Sequence, residues 1–162
     1  VALINTKNFF NTEKENFSDK IVILDQISDP GNLGTIIRTA AWYGIKTIIL
    51  SRQSSDIFNP KCLRSAMGGH FYIKNCVYWS YDEIIQFIKT DDYHYYCSSM
   101  NGKSIYSIKK KNKWALVLGS EAHGINQKLF FGDKLSIPSK DNIESLNVSV
   151  ASGILLDHLI SN

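Results

Sequence analysis

Short aliphatic runs alternate with segments of helical hydrophobic spacing along most of the chain. IVIL (21–24), TIIL (47–50) and WALVLG (114–119) are apolar at consecutive rather than alternate positions. Consecutive apolar residues are typical of strands that are covered on both faces. LGTIIRTAAWYG (33–44) instead has its apolar residues at the spacing of a helix. The alternation predicts an α/β fold with a mainly parallel sheet and helices on both faces.

Other segments extend this pattern over one domain. A chain of 162 residues can bury a full core without disulfides or metals. Residues 1–19 are polar after a short apolar start, and we interpret them as an N-terminal arm or a linker remnant preceding a domain over 20–162. Further strands are predicted at FYIK (71–74), YHYYCSS (93–99) and KLSIP (134–138), and helices at CLRSAMGG (62–69), YDEIIQFIK (81–89) and SLNVSVASGILLDHLI (145–160).

Composition excludes several classes of protein. No apolar stretch approaches the roughly 20 residues of a membrane span, and the N-terminus lacks the apolar run of a signal peptide. We therefore expect a cytoplasmic protein with no membrane association. Cys62, Cys76 and Cys97 are far apart and form no CxxC pair, which predicts free thiols and argues against a zinc site. The net charge of +3 is compatible with nucleic-acid binding but does not indicate it.

The segment DPGNLGTIIRTA (29–40) joins a turn to a helix. Pro30 and Gly31 favour a tight turn, and Asn32 is a suitable N-cap for the helix that follows. Free amides in the first turn of a helix can hold an anion. Arg38 lies off the apolar face, and we expect it to reach toward the carboxyl ends of the strands, where such sheets bind ligands. Taken alone, the segment is also consistent with a capped helix carrying one solvated arginine.

Two later segments place polar residues beside apolar ones. In LVLGSEAHGI (116–125), Gly119 would let a ligand approach the backbone, and Glu121 is a carboxylate at a strand end. In SIPSKDNIESLNVSVASG (136–153), Ser145 is the predicted N-cap of the last helix and Asn147 falls in its first turn. That helix is nearly all apolar, so we expect it to be buried, and a buried Asn147 would need hydrogen-bond partners.

Three groups of residues follow one another along the chain: Asn32 with Arg38, the loop with Gly119 and Glu121, and Ile137-Pro138 followed by Ser145-Leu146-Asn147. Together they resemble the three motifs of the SpoU (TrmH-like) RNA ribose 2′-O-methyltransferases of the SPOUT superfamily. The resemblance covers roughly residues 20–160. RSAMGG (64–69) is also similar to a family segment, with Gly69 where alanine is usual.

The resemblance implies a fold, a cofactor and a reaction. The C-terminal part, from about residue 114 onward, would form a trefoil knot that binds S-adenosylmethionine, and two copies would form a homodimer with the active site near the interface. The reaction would be methyl transfer to a ribose 2′-hydroxyl of RNA without a metal, more in keeping with guanosine in 23S rRNA than with tRNA. The implied cofactor-binding residues are Ser98, Met100, Leu118, Gly119, Ile137, Ser145 and Leu146.

The resemblance also implies roles for five catalytic residues. Arg38 would act either as the base for the 2′-hydroxyl or as a clamp on the adjacent phosphate. Asn32 would orient Arg38 or the RNA backbone, and Glu121 would hold Arg38 or a neighbouring residue. Ser145 and Asn147 would position the ribose or the loop. Many family members also carry an N-terminal RNA-recognition domain, for which VALIN (1–5) could be the end of a linker.

Two other functions are compatible with parts of the sequence. A nucleotide-binding oxidoreductase could use an α/β sheet, but GxGxxG is missing and no acidic residue follows the strand at 47–50. A non-catalytic RNA-binding module could keep the same fold. KKKNK (109–113) could bind RNA phosphate, although such a run is more often a solvated turn.

Overall fold

Six parallel strands form one sheet in the computed structural model, which describes residue 6, residues 9–141 and residues 144–161. The strands are β1 (Lys20–Leu24), β2 (Thr47–Ser51), β3 (Asn75–Trp79), β4 (His94–Ser104), β5 (Trp114–Leu118) and β6 (Asp133–Ser136). The strand order is β3-β2-β1-β5-β4-β6, and every pairing in it is parallel. This confirms the predicted mainly parallel sheet.

Helices cover both faces of the sheet, as predicted. The helices are α1 (Pro30–Trp42), α2 (Pro60–Ala66), α3 (Tyr81–Thr90) and α4 (Val148–Ile160), with 3₁₀ turns at Lys14–Asn16, Gly69–Tyr72, Ile105–Ser107 and Gln127–Leu129. Val22 and Leu24 of β1 belong to a core shared with α1, α2 and α4, whereas Ile21 and Ile23 belong to a second core shared with α3. Successive side chains of a strand point to opposite faces, which explains why β1 is apolar at consecutive positions.

The strand predicted at FYIK (71–74) is wrong. Gly69–Tyr72 is a 3₁₀ turn, and the strand of this region is β3, three residues further on. The segment after α2 remains packed on α1 because Gly69 lies close to the backbone of that helix. A Cβ on Gly69 would lie 3.0 Å from Cα of Arg38. The chain joins the sheet only where the backbone amides of Lys74 and Asn75 both donate to the carbonyl of Lys46, each at 2.9 Å.

The described part of the N-terminal arm lies against this same edge of the domain. Phe9 and Phe10 pack against the ring of Phe58, with centroids 5.7 and 5.8 Å away. The backbone amide of Asn11 donates to the carbonyl of Lys74 at 2.9 Å. These contacts attach the arm to the domain near the start of β3. The VALIN stretch, interpreted above as linker, lies outside the described residues.

The three cysteines are buried and unbridged, as expected for free thiols. Burial raises the pKa of Cys62 to about 12 and that of Cys97 to about 11, so both thiols stay protonated at neutral pH. Among the described helices, none combines the length and the apolar character that crossing a membrane requires.

Candidate active site

Three polar side chains from distant parts of the sequence meet at the carboxyl edge of the sheet. Oε1 of Glu121 accepts hydrogen bonds from Nδ2 of Asn147 at 2.5 Å and from Nδ2 of Asn32 at 3.2 Å. Nδ2 of Asn147 also donates to Oδ1 of Asn32 at 3.1 Å. The backbone amide of Val148 completes the set with a bond to Glu121 at 3.2 Å. We call Asn32, Glu121 and Asn147 the Glu121 cluster.

The N-cap of α1 leaves Asn32 available to this cluster. The predicted cap, Asn32, is wrong: Asp29 is the N-cap, and its Oδ2 accepts from the backbone amide of Asn32 at 2.8 Å. An aspartate cap satisfies the amide of the third helical residue and leaves the side chain of that residue unused. A hydrogen bond from Lys61 and the amide of Asn32 lower the pKa of Asp29, which stays ionised at neutral pH.

The N-cap of α4 is also shifted from the prediction. Asn147, rather than Ser145, caps the helix, and its Oδ1 accepts from the backbone amides of Ser149 and Val150 at 2.9 and 3.3 Å. Its amide oxygen therefore fixes the helix while its nitrogen reaches the cluster. Asn147 is exposed rather than buried, but the predicted need for partners is met. Ser145 is exposed and makes no hydrogen bond within the described ranges.

Arg38 does not join the cluster. It is exposed, and no described residue forms an ion pair or a hydrogen bond with its guanidinium. It lies six positions after Asn32 on α1, which places it about 9 Å further along the axis and about 120° around the helix. The expected contacts of Arg38 with Asn32 or Glu121 are therefore not made, and Glu121 instead holds the two asparagines.

Most of the implied cofactor-binding residues lie in or directly after three adjacent strands, and Ser145 and Leu146 precede α4. Leu118 ends β5, Ser98 and Met100 lie in β4, and Ile137 directly follows β6. In β4 the pairing with β6 shifts between Ser98 and Lys103, which both pair with Leu135, so the residues between them bulge out of the ladder. The side chains of Met100 and Leu146 are 67% and 46% exposed, which leaves apolar surface in these segments.

The loop itself requires glycine at position 119. A Cβ at this position would overlap the backbone of Gly124 and Ile125. The close approach that requires glycine is therefore made by the loop that carries Glu121, which folds back on itself after β5. The backbone amide of Gly124 donates to the carbonyl of Ser120 at 2.8 Å, which closes this turn.

A cavity of about 300 Å³ opens beside the Glu121 cluster. Two glutamines in its wall, Gln26 and Gln53, were not predicted, because neither belongs to a recognisable motif. The only local signal was the position of Gln26 in the short segment between a buried strand and a turn. Its φ of 54° is unusual for a residue other than glycine. The cavity is lined by Gln26, Ile27, Ser28, Asp29, Asn32, Gln53, Ser120, Glu121, Ala122, His123 and Val148.

Comparison with known proteins identifies the family. The model of the SpoU rRNA Methylase family matches residues 19–157, which is most of the chain. The chain belongs to this family. Membership agrees with the three motifs and decides against the nucleotide-binding oxidoreductase. In the part of the chain that the structure describes, no three His, Cys, Asp or Glu side chains are grouped as metal ligands.

Relatives in this family include ribosomal RNA enzymes. The chain is 36% identical over 150 residues to the 23S rRNA (guanosine(2553)-2'-O)-methyltransferase RlmP of Bacillus subtilis, covering 91% of this chain and 60% of RlmP. It is 30% identical to the 23S rRNA (guanosine-2'-O-)-methyltransferase RlmB of Acinetobacter baylyi, covering 95% and 64% of the two chains. The chain thus spans less than two thirds of the length of either relative.

A solved structure shares the fold closely. The AdoMet-bound rRNA methyltransferase from Sinorhizobium meliloti superposes with a TM-score of 0.85 at 29% identity, over 93% of this chain and 60% of that one. The shared region includes nearly the whole six-stranded sheet and its helices. The family's α/β fold is therefore that of this chain.

Proposed function

We propose that the protein transfers a methyl group from S-adenosylmethionine to a ribose 2′-hydroxyl of RNA, with guanosine in 23S rRNA as the favoured substrate. The Glu121 cluster carries this proposal, because it joins residues from all three family motifs in one hydrogen-bonded group. RlmP and RlmB, which are named for this reaction on guanosine of 23S rRNA, support the choice of substrate.

The residues in β4 and at the carboxyl ends of β5 and β6 fit the cofactor. When bound, S-adenosylmethionine supplies an electrophilic methyl group on a sulfonium. Its adenosine portion is uncharged and suits segments that are small and largely apolar, and the bulge in β4 frees backbone groups that a regular ladder would use. We assign binding to Ser98, Met100, Leu118, Gly119, Ile137, Ser145 and Leu146.

The Glu121 cluster is arranged to hold the ribose. Three donors converge on Oε1 of Glu121, and no described residue bonds to its Oε2. This second oxygen lies in a side chain that lines the cavity, where it can accept a hydrogen bond from the ribose 2′-hydroxyl. It can then take the hydroxyl proton as the ribose oxygen bonds to the methyl carbon, the bond from that carbon to sulfur breaks and S-adenosylhomocysteine leaves. Fixing the nucleophile in this way lowers the entropic part of the barrier. Asn32 and Asn147 act as positioning residues that keep the carboxylate in place.

Arg38 acts on the RNA phosphate in this proposal. A guanidinium remains protonated, so it is better suited to clamp an anion through two parallel hydrogen bonds than to accept the proton of the 2′-hydroxyl. Arg38 is exposed and has no described partner, so its guanidinium is available to bind a phosphate of the RNA. Ser145 would contact the ribose or the cofactor from the segment preceding α4.

The proposal includes a homodimer in which the C-terminal part of each chain is knotted. Trp42, on the same side of α1 as Arg38, is 84% exposed, and Val150 of the adjacent helix α4 is 51% exposed. A second copy of the chain would cover this surface across a two-fold axis and bring Arg38 to the interface. The trefoil knot would comprise the chain from about residue 114 onward, and the protein would act in the cytoplasm.

The decisive experiment is transfer of labelled methyl from S-adenosylmethionine to unmodified rRNA and tRNA fractions, with Arg38→Ala in parallel. Label in 23S rRNA that is lost in the variant supports the proposal. Label in tRNA alone would show that the substrate is tRNA rather than 23S rRNA, and the proposed reaction would stand. RNA binding without transfer to either fraction overturns the enzyme and favours the non-catalytic RNA-binding module.

A further inference from the structure

The target base must lie close to the hydroxyl that reacts. In any nucleotide the base is attached to C1′ of the ribose, and the 2′-hydroxyl is attached to the neighbouring carbon. If the ribose binds at the Glu121 cluster, the base therefore lies within a few ångströms of it. The cavity of about 300 Å³ meets this condition, because Asn32 and Glu121 belong both to the cluster and to the cavity wall.

A chain of hydrogen bonds orients the side-chain amide of Gln26 in this wall. Asp25 is fully buried, and its Oδ1 accepts from the hydroxyl of Tyr81 at 3.0 Å. The hydroxyl has a single hydrogen, so its oxygen can only accept from Gln26, whose Nε2 lies 2.5 Å away. Burial raises the pKa of Tyr81, which keeps this hydrogen in place at neutral pH.

These hydrogen bonds leave Oε1 of Gln26 free to accept a hydrogen bond from a ligand. Its nitrogen is committed to Tyr81, and no described group donates to its Oε1. The backbone is fixed as well, because the amide of Gln26 donates to Oγ of Ser51 at 2.8 Å while φ is held at 54°. A residue kept in a sparsely populated conformation by its surroundings is characteristic of functional sites.

We propose that this cavity receives the target base, turned out of its helix, and that Oε1 of Gln26 accepts a hydrogen bond from a ring N–H on its Watson–Crick edge. The inference rests on the proposed function. Guanine and uracil carry such an N–H. Adenine and cytosine have an unprotonated ring nitrogen there, whose lone pair would face the lone pairs of Oε1. Enzymes that act on one nucleotide commonly extrude it into a pocket in this way.

The cost of the wrong base sets the expected discrimination. An unpaired buried acceptor costs about 1–3 kcal/mol, which corresponds to roughly 5- to 150-fold in rate. RNA with guanosine or uridine at the target position should therefore be methylated with a kcat/KM higher by about this factor than RNA with adenosine or cytidine there. Guanosine and uridine both carry a ring N–H on the Watson–Crick edge, and the experiment below distinguishes them.

The test changes the orientation of Gln26 without substituting any residue of the cavity wall. The 2′-O-methylated nucleoside is first identified in the labelled RNA, and transcripts are then made with each of the four nucleotides at that position. Tyr81→Phe removes the hydroxyl that fixes the amide, and its ring does not line the cavity. Tyr78→Phe is the matched control, because it removes a buried hydroxyl that bonds to Ser55 and Ile57 instead.

In wild type, guanosine or uridine at the target position should support methylation, and the higher of the two identifies the natural base. Tyr81→Phe should lower the preference over adenosine about 10-fold, because a freed amide can present its nitrogen to adenine. Tyr78→Phe should keep the wild-type preference. Affinity for S-adenosylmethionine, measured by calorimetry, should be unchanged in both variants and reports that they are folded.

The inference is overturned if the product is 2′-O-methyladenosine or 2′-O-methylcytidine. It is also overturned if Tyr81→Phe and Tyr78→Phe show the same base preference as wild type. Either result leaves the methyltransferase function intact, because transfer has been observed. Absence of transfer to every RNA tested overturns the proposed function, and the inference falls with it.

Discussion

Two family residues on α1 differ in whether they have hydrogen-bond partners within the chain. Asn32, in the first turn, is held by hydrogen bonds to Glu121 and Asn147, which come from other parts of the same chain. Arg38, in the middle, is exposed and bonds to no described residue. The sequence predicts that both belong to one catalytic group, but within a single chain only Asn32 joins the Glu121 cluster.

The difference separates residues that shape the site from residues that meet something outside the chain. Polar groups that are satisfied internally hold one geometry before substrate arrives, which is the condition for preorganised catalysis. A cation without an internal partner can change its contacts when RNA or a second subunit binds. Substitutions in the first group should therefore affect both stability and activity, whereas substitution of Arg38 should affect activity alone.

Arg38→Ala should have the largest effect on activity and the smallest on stability. Loss of a charged contact to the reacting substrate costs on the order of 10²- to 10³-fold in kcat/KM. The melting temperature should remain within error, because exposed side chains without partners contribute less than about 0.5 kcal/mol. Arg38→Lys should recover little, since lysine keeps the charge but not the paired hydrogen bonds. Full activity in Arg38→Lys would contradict both the clamp and the base.

Mixed dimers can show whether Arg38 serves its own chain or the partner. Arg38 points about 120° away from Asn32 around α1, so we expect it to act across the interface. Refolding Arg38→Ala together with Glu121→Gln should then restore about a quarter of wild-type activity, because half of the dimers are mixed and each has one intact site. No recovery would place Arg38 in the site of its own chain.

Asn147 should show an intermediate effect that separates capping from positioning. Asn147→Ala removes the N-cap of α4 and should cost about 1 kcal/mol in unfolding free energy, together with about a 10-fold loss of activity. Asn147→Ser keeps a capping oxygen but has no amide to reach Glu121. Urea unfolding of the serine variant should resemble wild type while its kcat remains low. Recovery of activity in Asn147→Ser would mean that only the cap matters.

The central strands were predictable because burial on both faces makes them apolar at consecutive positions. Five of the six strands overlap predicted ones, including Trp114–Leu118 and Thr47–Ser51. FYIK (71–74) misled because its composition suits a strand, while the packing of Gly69 on α1, which keeps this segment out of the sheet, is a tertiary contact. Such a contact has no local pattern in the sequence.

The residues of the site were predictable, but their contacts were not. The motifs identified Asn32, Glu121 and Asn147, and the structure brings them together. Which residue caps each helix depended on a shift of two or three positions between equally suitable polar residues. The orientation of Gln26 depends on Asp25 and Tyr81, which are 56 residues apart, and no spacing rule connects them.

The cap of α1 should give the smallest effect, which appears only as a dependence on pH. Lys61 and the helix amide lower the pKa of Asp29 below its ordinary value of 3.8. Its contribution to stability is therefore present above that value and is lost as the pH falls through the lowered pKa.

Asp29→Asn keeps a capping oxygen but loses the ion pair with Lys61. That pair is exposed and contributes only a few tenths of a kcal/mol, about the value of surface pairs. Urea unfolding should favour wild type at about pH 6, and the difference should shrink progressively as the pH falls below 3.8. Asp92→Asn, at an exposed carboxylate without a described partner, should show no such convergence, and a difference for Asp29→Asn that persists at low pH would mean that the ion pair is not its source.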